Sequence, residues 1–239
     1  MSKIHESMVE LKVSDKTQMA AFSAKPDGIS RGGVLVFQEA FGVNNHIENI
    51  VRRLAREGYV VIAPELFHRT APVGFEGPYD NFPALKPHFD ALSDETLMAD
   101  SKAAYEWLQN EGGLKPENIG CVGFCMGGRV AFMANAVLSM GAAVSFYGSR
   151  ILSQSIDLAK DQKAPLLLIW AGKDKSSPPE KIKELGDSLR AAKKNFINAE
   201  FSEAEHGFNC DDRPAYHPAS AATAWVMTLS FLEKHLKGI

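Results

Sequence analysis

Short, continuous apolar runs alternate along this chain with longer stretches whose apolar residues recur every three or four positions. Gly33-Val34-Leu35-Val36-Phe37, Tyr59-Val60-Val61-Ile62-Ala63, Ile119-Gly120-Cys121-Val122, Ala142 to Tyr147 and Pro165-Leu166-Leu167-Leu168-Ile169-Trp170 are runs of the first kind. With no polar face, they predict strands covered on both sides. Ile197 to Phe201 reads as a further strand, and Met8 to Val13 and Gln18 to Ala24 as two more, joined by the polar turn Ser14-Asp15-Lys16. Between them lie helical patterns. Ile47, Ile50, Val51 and Leu54 share one face, with Asn44 or Asn45 placed to cap and Gly58 to stop the helix. A second helix starts at Ser93-Asp94-Glu95, runs through Leu97, Ala104 and Leu108, and ends at Gly112-Gly113. Others begin at Arg129, span about Pro179 to Ala192, and run from about Pro218 to His235.

Strand and helix therefore alternate, which predicts one α/β domain over residues 1–239, a mostly parallel twisted sheet with helices on both faces. Residues 65 to 92 break the rhythm. They carry Pro72, Pro78, Pro83 and Pro87 among several aromatics and are expected to form a long irregular loop, the kind that serves a site. Phe75, Tyr79, Phe82 and Phe89 in it are expected either to wall a pocket or to pin the loop.

Composition narrows the function classes. In 239 residues, 45% of them hydrophobic, the net charge is −3 and basic residues are scattered, so nothing argues for nucleic acid or an anionic membrane. No stretch approaches the ~20 apolar residues of a membrane span. The N-terminus has no apolar signal core. Cys121, Cys125 and Cys210 are too few and too irregular for a disulfide framework, which points to a reducing cytoplasm. His68, His88 and His217 have no metal-ligand spacing with them, so no zinc site is expected.

The chemistry sits at predicted strand ends, where open α/β sheets bind ligands. Gly123-Phe124-Cys125-Met126-Gly127-Gly128 lies between a strand and a helix. This is the Gly-x-nucleophile-x-Gly turn of α/β-hydrolases, with cysteine in place of the usual serine. Asp174 follows the Trp170 strand and His206 the Phe201 strand, at spacings of 49 and 32 residues. Each spacing is long enough for an intervening helix and strand. The order nucleophile, acid, histidine is that of the α/β-hydrolases. Cys125 is expected to attack an acyl carbon, His206 to carry the proton and Asp174 to orient the imidazole. The backbone amides of Met126 and Ala40 are expected to bind the oxyanion. Glu39, directly after a buried strand, is expected either to receive the thiol proton or to hold the resting cysteine protonated; the plainer reading is a structural carboxylate paired to a base.

Four segments together resemble the dienelactone hydrolase family (carboxymethylenebutenolidases). They are Gln38-Glu39-Ala40-Phe41-Gly42-Val43-Asn44, the Cys125 turn, Gly172-Lys173-Asp174 and His206-Gly207-Phe208. The resemblance implies a Cys-His-Asp triad, a glutamate that interacts with the nucleophile, here Glu39, and no metal or organic cofactor. It implies opening of a lactone or cleavage of a small carboxylic ester, in a monomer or homodimer. Well-known members hold the substrate carboxylate with two arginines. One of those positions is Cys210 here, and the other falls in the loop whose only arginine is Arg69. Arg69, Arg213 and Phe41 are therefore the candidate substrate contacts, the two arginines being otherwise braces of their loops. The alternatives are a carboxylesterase or thioesterase without lactone preference, a ligand-binding module on a hydrolase scaffold, or a thiol redox sensor that pairs Cys125 with Cys210.

Overall fold

The computed structural model describes residues 3–236. Its elements, in chain order, are β1 (Ile4–Lys12), β2 (Gln18–Pro26), β3 (Gly32–Phe37), α1 (Asn45–Arg56), β4 (Tyr59–Pro64), α2 (Phe82–Asp90), α3 (Asp94–Asn110), β5 (Ile119–Phe124), α4 (Met126–Val137), β6 (Ala142–Phe146), β7 (Leu166–Ala171), α5 (Pro179–Ala191), β8 (Phe196–Phe201) and α6 (Pro218–His235). The strands form one eight-stranded sheet in the order β1-β2-β4-β3-β5-β6-β7-β8. β2 pairs antiparallel with both β1 and β4, and every other pairing is parallel. This is the α/β-hydrolase arrangement.

Both faces of the sheet are covered, and strand alternation divides the apolar runs between them. Leu35 and Phe37 of β3 pack with Leu97 and Leu108 of α3, Phe132 of α4 and Leu185 of α5. Val34 and Val36 point the other way, toward Ile47 and Leu54 of α1 and Trp225 and Leu232 of α6. Strands β3 to β7 are buried along their whole length, which is why their sequences show no polar face. Asn44 is the cap of α1, accepting a hydrogen bond from the Ile47 amide at 3.2 Å. Ser93 and Thr96 close a capping box at the start of α3.

The segment 65–92 corrects one expectation, since it contains the helix α2 despite Pro83 and Pro87. Pro83 falls in the first turn, where its missing N–H costs nothing. Phe82, Leu85 and Phe89 fall on one face, and Leu85 is fully buried. That packing outweighs the weak local preference of a proline-bearing nine-residue helix. A short π-helical turn at Ile151–Ser155 and a 3-10 stretch at Ile156–Asp161 also lie between β6 and β7, where the sequence carries no periodic signal.

The chain runs from β3 to β4 on one side and then returns to place β5 on the other side of β3. The crevice between β3 and β5 is thus the topological switch point, the usual ligand position in such sheets. Phe37 and Gly123 are register partners, so the residues after them leave the sheet side by side. There α4 approaches β3 at backbone contact. A Cβ on Gly127 would lie 2.2 Å from the Phe37 carbonyl oxygen, and one on Gly123 would lie 1.8 Å from the Gly127 oxygen. Both positions must lack a side chain. Gly123→Ala is expected to lower stability by at least about 2 kcal/mol, because the clash is with backbone that cannot step aside; urea unfolding measures it, and an unchanged midpoint would count against this packing.

Candidate active site

Cys125 caps α4 with φ 54° and ψ −116°, a left-handed conformation that a residue with a Cβ enters only under strain of about 1–3 kcal/mol. Four backbone hydrogen bonds hold it there. Its amide donates to the Phe146 carbonyl at 3.0 Å, and its carbonyl accepts from the amides of Gly128 and Ser149 at 3.0 Å and of Arg129 at 3.4 Å. The Gly127 amide donates to the Gln38 carbonyl at 3.0 Å, which ties the elbow to the loop after β3. Gln38 in turn accepts from the Leu66 amide at 3.0 Å through Oε1. Among the described residues, the amides of Met126 and Ala40 donate to no protein acceptor. Ala40 lines the same cavity as Cys125.

The other two members of the expected triad converge on this thiol. His206 Nδ1 lies 2.6 Å from Asp174 Oδ2. An ionised carboxylate only accepts, so Nδ1 carries the proton and Nε2 is the ring's free nitrogen, in a residue that lines one cavity with Cys125. The second Asp174 oxygen, Oδ1, accepts from the Ser176 amide at 2.9 Å and its hydroxyl at 2.7 Å. Asp174 is thus a turn carboxylate, not the cap of α5, which is Pro178. Burial opposes its charge, but the hydrogen bond and charge of His206 and the two bonds from Ser176 hold its carboxyl below the usual range. Burial likewise opposes the His206 cation. The charge of Cys125 and the hydrogen bonds to Asp174 and Cys125 outweigh it and raise the imidazole to about 10.

The remaining candidates divide. Arg213 lines the cavity, as do Phe41, Phe82 and Phe89. Arg213 Nη1 sits 3.4 Å from Oε1 of the fully buried Glu39. Glu39 is hydrogen-bonded to this guanidinium and not to Cys125; the thiol's side-chain neighbours are His206 and Ser149. Arg69 does not line the cavity, so of its two expected roles the substrate contact is corrected to the loop brace. It bridges Asp15 and the wholly buried Asp100 through four contacts of 2.7 to 2.8 Å, so its charge is spent bracing the 65–92 segment against α3. Phe75 packs on Phe67 and His88, and Tyr79 on Phe41, so both pin the segment.

Two residues at the cavity were missed. Ser149 Oγ lies 3.3 Å from Cys125 Sγ, and Arg150 lines the cavity with its guanidinium 4.6 Å from the Phe89 ring centroid. Both follow the end of β6, so the strand-end rule that marks Asp174 and His206 also covers Tyr147-Gly148-Ser149-Arg150. Tyr147 packs on His206 with ring centroids 5.1 Å apart. The cavity, about 340 Å³, suits a small organic molecule.

Comparison with known proteins matches these features to one group. The model of the dienelactone hydrolase family matches residues 19–236. The chain belongs to the dienelactone hydrolase family. A relative from Yersinia pestis described as "Putative carboxymethylenebutenolidase" is 35% identical over 233 residues, covering 93% of this chain and 86% of that one. One with the same description from Synechocystis sp. is 31% identical over 230 residues, covering 92% and 93%. The crystal structure titled "Putative Dienelactone Hydrolase" from Klebsiella pneumoniae superposes with a TM-score of 0.87 at 31% identity, covering 96% of this chain and 98% of that one. As a family member the protein is a hydrolase of lactone or ester bonds. Among the described residues, no helix is long and apolar enough to cross a membrane.

The His206–Asp174 pair gives stability a pH dependence with a fixed sign. Burial opposes the imidazolium, but Cys125 and Asp174 raise it above the unfolded value, so this contribution is full below about pH 6.5 and is lost as pH rises through about 10, while the lowered Asp174 carboxyl loses its own share as pH falls through the carboxylate range. The melting temperature advantage of the wild type over Asp174→Asn is expected to shrink between those values. A change of about 2 °C or more, equivalent to about 1 kcal/mol in a chain of this size, is expected in thermal unfolding. An advantage constant with pH would remove the ion pair from the account.

Proposed function

We propose that this dienelactone hydrolase-family enzyme cleaves lactones or small carboxylic esters through an acyl-enzyme on Cys125. The observation that carries the reading is the imidazole of His206, 2.6 Å from Asp174 through Nδ1 and in one cavity with the thiol on the elbow. His206 Nε2 holds the Cys125 proton, as its raised imidazole favours, and the sulfur attacks the acyl carbon. The amides of Met126 and Ala40 receive the oxyanion, with the α4 N-terminus adding its partial positive charge. Collapse expels the alkoxide, which takes the proton from His206; in a lactone it stays attached, so the ring opens. Water, deprotonated by His206, then attacks the thioester, and Cys125 recovers its proton as the carboxylate leaves. Asp174 positions His206 and keeps the imidazolium stable. Ser149, beside the sulfur, is placed to donate to a thiolate.

The substrate reading is a carboxylated lactone or ester. Support comes from two guanidinium groups that line the cavity, Arg150 over the Phe89 ring at 4.6 Å and Arg213 over the Phe41 ring at 5.3 Å. Among the described residues, Arg150 pairs with no carboxylate, so its charge is available to a ligand. These two groups take over the anion-binding part expected of Arg69. Glu39 holds Arg213 in place and sets the charge behind the cysteine, which makes it a positioning residue.

Cys125→Ala is expected to abolish turnover of an activated aryl ester while its melting curve stays cooperative; retained wild-type rates would take Cys125 out of the mechanism. Arg150→Ala is expected to raise KM for a carboxylated ester by about tenfold, the worth of one hydrogen bond to a charged group, and to leave KM for a neutral aryl ester unchanged. Equal effects on both esters would show that the site does not select an anion.

A further inference from the structure

Beside the Cys125 cavity, Glu39, His46 and Cys210 come together from three separate segments. They lie in the loop after β3, the first turn of α1 and the loop between β8 and α6. One donor atom of each lies within 4.8 Å of the others. The side chains are 1%, 3% and 0% exposed. Two of them carry a polar atom without any partner, Glu39 Oε2 and His46 Nε2. A buried group left unpaired costs about 1–3 kcal/mol, so two in one cluster call for an explanation.

The kind of partner that is absent follows from the protonation states. His46 Nδ1 faces the Asp211 carboxylate at 3.6 Å, the side on which that carboxylate favours the ring proton. Burial also favours the neutral ring over its cation, against the pull of Glu39, Asp211 and Asp212. With the ring proton on Nδ1, Nε2 presents a bare lone pair, as the unpartnered Glu39 Oε2 does. Both atoms seek a positive centre.

We propose that Glu39, His46 and Cys210 form a binding site for a borderline-soft divalent ion, of which Zn²⁺ fits the donor set best. Imidazole nitrogen, carboxylate oxygen and thiolate sulfur are the usual zinc ligands. A tetrahedral ion at their customary bond lengths brings the donors to roughly 3.5 Å apart, which the cluster reaches with about 1 Å of side-chain movement. Water or the Tyr79 hydroxyl, 3.3 Å from Cys210 Sγ, completes the fourth position. Asp211 behind His46 supplies the carboxylate that orients a ligating histidine. Ligation through Oε2 leaves the Arg213 pair on Oε1 intact, and the charges of Asp211 and Asp212 act on His46 beside it. Burial pushes the Cys210 thiol up to about 11, so binding replaces its S–H bond with a metal–sulfur bond and releases one proton to solvent. A cavity of about 430 Å³ is lined by His46 and Asp211. The bound ion staples the loop of Ala40 to the loop that leads on from His206. This site does not depend on the proposed catalytic roles.

Cobalt(II) is the probe, added to chelator-treated Cys125→Ala protein. Cys121 is sealed in the core, so in this variant a cobalt–thiolate charge-transfer band reports Cys210 alone. One equivalent of cobalt is expected to produce the band, and zinc to erase it. His46→Gln is expected to weaken binding by about tenfold or more, with Glu39→Gln as the second variant should the first not fold. Absence of the band overturns the proposal and leaves a bridging water as the partner. A band that neither substitution weakens overturns it as well.

Discussion

The structure depends on the contact between the N-terminus of α4 and the end of β3. At this point two backbones touch with no side chain between them, and the Gly127 amide donates across the gap to the Gln38 carbonyl. One hydrogen bond thereby joins the strand that carries Glu39 and Ala40 to the helix whose first residue follows Cys125. A side chain at either glycine would force the two strand ends apart and separate the nucleophile from its expected oxyanion donors. The strain at Cys125 is sustainable because four further backbone bonds fix the residue from both sides.

From this contact outward, the sheet does the positioning. Five parallel strands deliver chemical groups just past their C-terminal ends: Glu39 after β3, Cys125 after β5, Ser149 and Arg150 after β6, Asp174 after β7 and His206 after β8. Side chains 167 positions apart in the chain, at Glu39 and His206, come to one edge because neighbouring strands end together. Charge then arranges itself around the thiol. The imidazole raised by Cys125 and Asp174 lies on one side, and the Glu39–Arg213 pair is buried on another. The helix α2 and its aromatics close the cavity, while Arg69 holds that segment to the body of the protein through Asp100.

Much of this was readable in the chain because the signals are local. Fully buried strands show as unbroken apolar runs, helices as a three-to-four periodicity, and the elbow as two glycines around a cysteine. The order Cys125, Asp174, His206 needed only strand ends to be located. Arg69 stayed open between substrate contact and loop brace because a loop position says nothing about which carboxylates wait across the fold; Asp15 and Asp100 lie 54 and 31 positions away. α2 was missed because its stability comes from Leu85 and the phenylalanines packing, not from propensity. Ser149 and Arg150 were passed over because the π-helical turn after them has no periodic signature.

The sequence by itself determined the sheet, its helical cover, the elbow and the three residues expected to act on an acyl group. All of these follow from hydrophobic period and from residue types at strand ends. Only the tertiary structure decided which arginines face the cavity, which carboxylate Arg213 answers, and that Glu39, His46 and Cys210 share one buried space. Those are pairings between side chains distant in sequence. Their choice is set by burial and by the cost of leaving a charge or a lone pair unmatched, and that cost exists only once the chain has closed around them.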